Sequence, residues 1–143
     1  MKSLLIMSCS KTKKNIDIAP ALEMYDGQAY RTLKKNSPGN VRILIISAKY
    51  GLLRPFDIIS WYDQEMTSAK AMDLRQKVQE EVMRTTKKKN TERVFLYLGY
   101  PYNLAISNEL ERYLKLNFDV QIADGYIGMR LHQLKEWLKE ANQ

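Results

Sequence analysis

The sequence predicts a single α/β domain in three layers, with a mostly parallel sheet of about four strands and helices on both faces. Short apolar runs alternate along the chain with longer segments that repeat apolar residues at helical spacing. The length of 143 residues suits one domain with its own core. No internal repeat, linker or low-complexity tract divides the chain, so residues 1–143 are expected to form one domain.

The apolar runs are the predicted strands, and turn residues separate them from the helices. Four strands are expected, at 3–7, 41–46, 93–98 and 118–123. Residues 20–35 have a helical pattern that Gly27 interrupts, so two short helices are expected there. Residues 36–40 form a cluster of Asn, Ser, Pro and Gly, which is typical of a turn.

Three more helices are expected in the second half of the chain. Thr67 or Ser68 is expected to cap a long helix whose apolar stripe begins at Ala71. Pro101 occupies the position of a first helical residue for the next one. The last helix is expected to expose His132, and it carries its apolar residues at spacings of four, three and four: Ile127, Leu131, Leu134 and Leu138.

Composition limits the partners. The formal net charge of +7 favours a polyanion such as a nucleotide or nucleic acid. No apolar stretch approaches the roughly 18 residues that cross a bilayer, so no membrane partner is expected. The single cysteine, Cys9, excludes an internal disulfide and is typical of a reducing cytoplasm. With one histidine and one cysteine, no metal site is predicted.

Polar and aromatic residues follow each predicted strand directly. In a parallel sheet the carboxyl ends of the strands meet at one edge, where ligands bind. We therefore expect Ser8, Lys11, Ser47, Tyr50, Arg54 and Asp57 to line one cleft. The full set of predicted ligand-binding residues is Ser8, Ser10, Lys13, Ser47, Lys49, Tyr50, Gly51, Arg54, Tyr62, Tyr100 and Asn103.

The chemistry of these residues suggests roles. Lys11, Arg54 and Lys13 have the donors that hold a phosphate or carboxylate, and Tyr50 or Tyr62 offers a ring that stacks on a base. The predicted catalytic residues are Lys11, Asp57 and Asp63. The alternative is an ion pair between Arg54 and Asp57 that only pins the long loop after the second strand. Cys9 is either a nucleophile activated by a nearby lysine or, preferably, a buried inert thiol.

An ordered set of short motifs resembles the YaaA family of peroxide-stress proteins. The set is Ser8…Lys11, Gly27…Tyr30, Ser47…Tyr50-Gly51-Leu52-Leu53-Arg54-Pro55…Asp57 and Tyr62…Glu65-Met66. The resemblance is closest to a compact sister group with a Cys-Ser-Lys-Thr-Lys start. Cys9 and Ser10 replace the family's Pro and Ala, and Asp63 replaces an Arg. The resemblance implies association with DNA and oxidative stress and, in some relatives, a place in nucleobase or small-molecule biosynthesis.

Two functions remain open from the sequence. The first is an enzyme that binds a nucleotide, modified nucleobase or nucleic-acid end in the cleft and serves nucleobase or nucleic-acid modification or the stress response. The second is a non-catalytic basic module that binds nucleic acid through its charge. A concave, tyrosine-lined pocket favours the enzyme, and a flat basic face favours the module. The sequence identifies neither a cofactor nor an oligomeric state.

Overall fold

A computed structural model describes residues 2–36, 39–88 and 90–141. In these residues the strands are β1 (Ser3–Ser8), β2 (Ile18–Pro20), β3 (Val41–Ser47), β4 (Gly51–Leu53), β5 (Ile58–Ser60), β6 (Arg93–Tyr97) and β7 (Asp119–Ile122). The helices are α1 (Ala21–Met24), α2 (Gln28–Lys35), α3 (Ser68–Asp73), α4 (Arg75–Lys88), α5 (Asn108–Asn117) and α6 (Ile127–Ala141). A 3-10 turn, Tyr102–Ala105, precedes α5.

The main sheet has the strand order β4-β3-β1-β6-β7. β1 lies in the centre and pairs in parallel with β3 and β6, and β7 pairs in parallel with β6. β4 is the only antiparallel member of this sheet in the described residues. The predicted α/β class with a mostly parallel sheet is confirmed, with five strands in place of about four.

Helices cover both faces of the sheet, which gives the predicted three layers. Successive side chains of β1 alternate between the faces. Leu5 and Met7 pack in a core with residues of α1, α2 and α6. Leu4 and Ile6 pack in a second core with residues of α3, α4 and α5. All four side chains are fully buried, which explains why β1 is an uninterrupted apolar run.

The order in which the chain adds strands to the sheet reverses at β1, because β3 and β6 lie on opposite sides of it. From β1 it passes α1 and α2 on one face and enters β3 on one side of β1. From β3 it passes α3 and α4 on the opposite face and enters β6 on the other side of β1. The loops after β1 and β6 therefore diverge, and such a switch point opens a crevice at the carboxyl edge.

Three elements differ from the sequence prediction. Residues 47–66, expected as a long loop, contain β4 and β5, and β5 pairs with β2 in a two-stranded antiparallel ribbon. The long helix expected after residue 67 is two helices, because the regular helix is interrupted by a turn at Leu74, between α3 and α4. Pro101 precedes the 3-10 turn, and it is Ser107 that caps α5, by accepting from the Leu110 amide.

Other expectations hold. Thr67 caps α3 through the Lys70 amide, and the helical pattern of 20–35 is interrupted before Gln28. His132 is exposed on the last helix. Ser37 and Pro38 of the predicted turn lie outside the described residues. Among the helices of the described ranges, none is long and apolar enough to cross a membrane.

We expect Gly51→Ala to lower the free energy of unfolding by about 1–3 kcal/mol. Gly51 has φ +84°, and a Cβ there would lie 3.1 Å from Leu74 Cδ2, so alanine would be strained in backbone and packing. Gly39→Ala is the matched control, because a Cβ at that position would have no atom within 4 Å. Urea unfolding of both variants tests this, and equal losses would contradict it.

Candidate functional site

A pocket of about 270 Å³ opens at the switch point between β1 and β6. Its walls are the loop after β1, residues 63–66 and residues 100–102. The loop after β1 contributes Cys9, Ser10, Lys11 and Lys13. We call this site the strand-exit pocket. It lies where the parallel-sheet rule places a ligand, because the loops that line it leave adjacent strands in opposite directions.

Main-chain contacts and a close approach to α2 hold the loop after β1. The Cys9 amide donates to the Ile46 carbonyl at 2.9 Å, which continues the β1–β3 ladder beyond β1. The Tyr30 hydroxyl donates to the Ser8 carbonyl at 2.8 Å. Gly27, just before α2, packs against Ser10 so tightly that a Cβ there would overlap the Ser10 hydroxyl. The loop is therefore positioned from both sides.

The pocket contains lysines and carboxylates. Lys13 Nζ lies 4.3 Å from the ring centroid of Tyr62, a cation–π distance. Burial lowers the pKa of Lys13, and the nearby Cys9 and Asp63 oppose that shift. Lys11 is exposed, with its Nζ 3.9 Å from a Glu65 carboxylate oxygen, so this pair contributes little to stability. The site has cations that can hold an anion and carboxylates that can move protons.

Cys9 and Tyr102 meet at the back of the pocket. Cys9 Sγ lies 3.1 Å from the Tyr102 hydroxyl oxygen. Burial, followed by the hydrogen bond with Cys9, raises the pKa of Tyr102, which keeps its hydroxyl protonated. The sequence predicted a buried thiol, whereas Cys9 is only half-buried and lines the pocket. No sequence rule links two residues 93 positions apart, so this contact was missed.

A buried cluster of hydroxyls lies beneath the lysines. The Tyr25 hydroxyl lies 2.7 Å from the Tyr62 hydroxyl and donates to Ser47 Oγ at 3.3 Å, and Ser47 Oγ lies 3.0 Å from the Tyr62 hydroxyl. Ser47 Oγ also accepts from the amides of Lys49 and Tyr50. Burial raises the pKa of Tyr25 to about 12 and raises that of Tyr62 as well.

These contacts occupy the Ser47 hydroxyl, so in the structure it positions the chain after β3. Tyr62 is 5% exposed, which leaves its ring too covered to stack on a base. The Tyr50 hydroxyl is held by the main chain of Ser60, as donor to the carbonyl and acceptor from the amide. Lys49 Nζ lies 5.4 Å from the Tyr50 ring centroid. The strand-exit pocket is lined by none of these four predicted ligand-binding residues, so their side chains hold the chain after β3 in place and are not part of the pocket wall: Ser47, Lys49, Tyr50 and Tyr62.

The structure places the remaining predicted residues in two groups. Ser10, Lys11, Lys13, Asp63 and Tyr100 line the strand-exit pocket. Ser8 contributes its carbonyl to the loop anchor, Gly51 begins β4, and Asn103 is exposed on the 3-10 turn, outside the pocket lining.

Arg54 and Asp57 correct the expectation of one shared cleft. β4 runs antiparallel to β3, so the chain returns from the carboxyl edge before it reaches Arg54. There Arg54 pairs with Glu81 of α4, and Asp57 accepts from the Arg54 amide at 2.8 Å. Neither residue lines the strand-exit pocket, so the sequence placed them in the wrong site.

Comparison with known proteins places the chain in a family. Residues 4–136 match the sequence profile described as "Family of unknown function (DUF6884)". The chain belongs to this family. No curated protein matches it at a significant level. Since the family description states no activity, the resemblance to the YaaA family stays a prediction.

A solved structure shares the fold. The crystal structure of AF0587, a protein of unknown function, aligns with a TM-score of 0.59 at 14% sequence identity. The alignment covers 96% of this chain and 44% of AF0587, so the chain spans less than half of that protein's length. At this identity the likeness supports the α/β architecture alone.

We expect Ser47→Ala to lower the free energy of unfolding by about 1–3 kcal/mol, because it leaves the buried hydroxyls and amides around it without a partner. Ser60→Ala is the matched control, since Ser60 is exposed and contacts Tyr50 only through its main chain. Thermal unfolding of the two variants measures the difference. A Ser47→Ala protein as stable as Ser60→Ala would show that the hydroxyl cluster does not contribute to the stability of the fold.

We also expect Gly27→Ala to be destabilising by about 1–3 kcal/mol through overpacking against Ser10. Removing the Ser10 side chain should relieve the overlap, so the double variant Gly27→Ala/Ser10→Gly should be more stable than the two single effects predict. A double-mutant cycle by urea unfolding checks this. Strict additivity would mean that the two residues are not in contact.

Proposed function

We propose that the strand-exit pocket binds a nucleotide, a modified nucleobase or the end of a nucleic acid, and that the protein is an enzyme acting on such a ligand. The observation that carries the proposal is the meeting of lysines and tyrosine rings at the switch point. Lys11 and Lys13 line the pocket together with Tyr100 and Tyr102. Ammonium groups suit a phosphate, and the exposed ring of Tyr100 suits a base, at about 1–3 kcal/mol for a stacked base.

In this proposal some roles fall to residues other than those that the sequence predicted. Tyr100 is 76% exposed and replaces Tyr50 and Tyr62 as the stacking ring. Lys13 replaces Arg54 as the anchor of the anion, because its ammonium is held over the Tyr62 ring inside the pocket. Lys11 and Asp63 remain the candidates for proton transfer.

The size and shape of the pocket favour a small ligand. Its volume of about 270 Å³ is close to the lower end of small-molecule sites, about 300–1,000 Å³. A single nucleotide or base fits this range better than a longer strand. A concave, tyrosine-lined pocket also favours the enzyme over the non-catalytic basic module. The YaaA resemblance supports a role in nucleobase chemistry or the stress response, and the single cysteine supports a cytoplasmic location.

The test is a thermal-shift panel of nucleoside monophosphates, nucleosides, free bases and inorganic phosphate. We expect at least one nucleoside monophosphate to raise the melting temperature, because a ligand that binds only the folded state stabilises it. Lys13→Gln should lower the affinity for that nucleotide at least tenfold, since a hydrogen bond to a charged group contributes about 1.5–3 kcal/mol. Tyr100→Ala should lower the affinity for the nucleotide and leave the affinity for inorganic phosphate unchanged.

Arg54→Gln is the contrasting variant, because it removes a cation of the predicted site that lies outside the pocket. Its nucleotide affinity should stay within twofold of the unsubstituted protein. Equal losses in Arg54→Gln and Lys13→Gln would indicate diffuse charge attraction and favour the non-catalytic module. A panel in which no compound raises the melting temperature would refute the proposal.

A further inference from the structure

A second and larger groove lies at the opposite end of β3, away from the strand-exit pocket. Its volume is about 430 Å³. β3 residues 41–44 form the floor, Pro55 and Phe56 form one wall, and residues of α4 form the other. We call it the β3-edge groove. It shares no lining residue with the strand-exit pocket.

Within the described ranges, the floor of this groove is a strand edge that no other strand pairs with. β4 pairs only with residues 45–47, and no other strand in the described ranges pairs with 41–44 on that side. The Ile46 carbonyl accepts from the Cys9 amide, so the main-chain N–H and C=O groups of Ile46 point towards β1. By alternation, the main-chain groups of Val41 and Ile43 point outward into the groove. An edge of this kind is a template for another strand.

The walls of the groove carry an excess of positive charge. Arg42, Arg54, Arg84 and Lys88 line it, and Glu81 is the one carboxylate among its lining residues. Glu81 pairs with both Arg54 and Arg84, which fixes the two guanidinium groups at the rim. Such a rim attracts acidic groups and repels a second copy of itself.

An apolar contact is available beside the charges. Phe56 is 80% exposed at the rim, next to Pro55. A strand laid along the edge would place alternate side chains towards this ring and towards α4. The groove therefore combines main-chain donors and acceptors, an apolar surface and cations, which together suit an extended peptide rather than a compact metabolite.

We propose that the β3-edge groove binds an acidic peptide segment of a partner protein by strand addition to β3 residues 41–44. The peptide continues the sheet beyond the end of β4, over about 13 Å of strand. Its main chain pairs with Val41 and Ile43, its acidic side chains meet Arg54, Arg84 and Lys88, and an apolar side chain covers Phe56. The guanidinium of Arg42 is held by the Thr85 carbonyl and the Thr91 hydroxyl. This inference is independent of the proposed function of the strand-exit pocket.

The probe is a short blocked peptide of alternating glutamate and valine, tested on the full chain. Fluorescence anisotropy measures its affinity, and amide hydrogen exchange by NMR reports where it binds. We expect the Val41 and Ile43 amides to exchange at least tenfold more slowly at saturation. The Leu44 amide faces β1 and should not change, which makes it an internal control. The same peptide with N-methylated alternate residues should bind at least tenfold more weakly, since it cannot form a ladder.

Charge variants complete the test. The double variant Arg84→Gln/Lys88→Gln should lower the affinity for the peptide at least fivefold. Arg112→Gln/Lys115→Gln removes the same charge from α5, outside the groove, and should have less than a twofold effect. A lysine–valine peptide that binds as well, an N-methylated peptide of equal affinity, or unchanged Val41 and Ile43 exchange would each overturn strand addition. A single-stranded oligonucleotide that displaces the peptide and outcompetes it at these residues would assign the groove to nucleic acid and overturn the peptide proposal.

Discussion

The structure depends on the pairing of β1 with a parallel strand on each side. Its main chain is satisfied by β3 and β6, and its side chains are covered by helices on both faces. A strand in this position has no contact with water, which is why Leu4, Leu5, Ile6 and Met7 are all fully buried. Each helix packs on one of the two cores that β1 separates. The position of β1 also decides where a site can open. The chain crosses one face of the sheet to reach β3 on one side of β1, and it crosses the opposite face to reach β6 on the other side.

The strand-exit pocket follows from the opposite courses of these two connections, and Lys13 in its wall lies over the ring of Tyr62, a member of the buried hydroxyl cluster. The loops after β1 and β6 separate at the carboxyl edge and leave room for a ligand between Lys13 and Tyr100. Tyr25, Ser47 and Tyr62 satisfy one another's hydroxyls, so these polar groups are buried without a lost hydrogen bond. The raised pKa values of the two tyrosines keep this cluster neutral under a lysine.

The two ends of β3 present different chemistry. At the carboxyl end, lysines stand beside carboxylates and tyrosines, which suits binding and proton transfer on a small ligand. Along the amino-terminal half, arginines held by Glu81 stand beside a strand edge to which no described strand is paired, which suits an extended chain. The antiparallel return of β4 separates the two sites, because it carries Arg54 away from the edge where the sequence placed it.

The sequence by itself determined the strands that are buried on both faces. The runs at 3–7, 41–46 and 93–98 match β1, β3 and β6 to within one residue at each end, because a strand covered by two layers must be apolar throughout. It also indicated that residues such as Lys11, Lys13 and Tyr100 share one edge, since that follows from parallel pairing. Only the tertiary structure decided the course of residues 47–66. β4 and β5 have three residues each, too few for a periodic signal, and they exist because β3 and β2 offer edges to pair with. The contact of Cys9 with Tyr102 and the partnership of Arg54 with Glu81 likewise depend on which elements the fold brings together, and no local pattern encodes them.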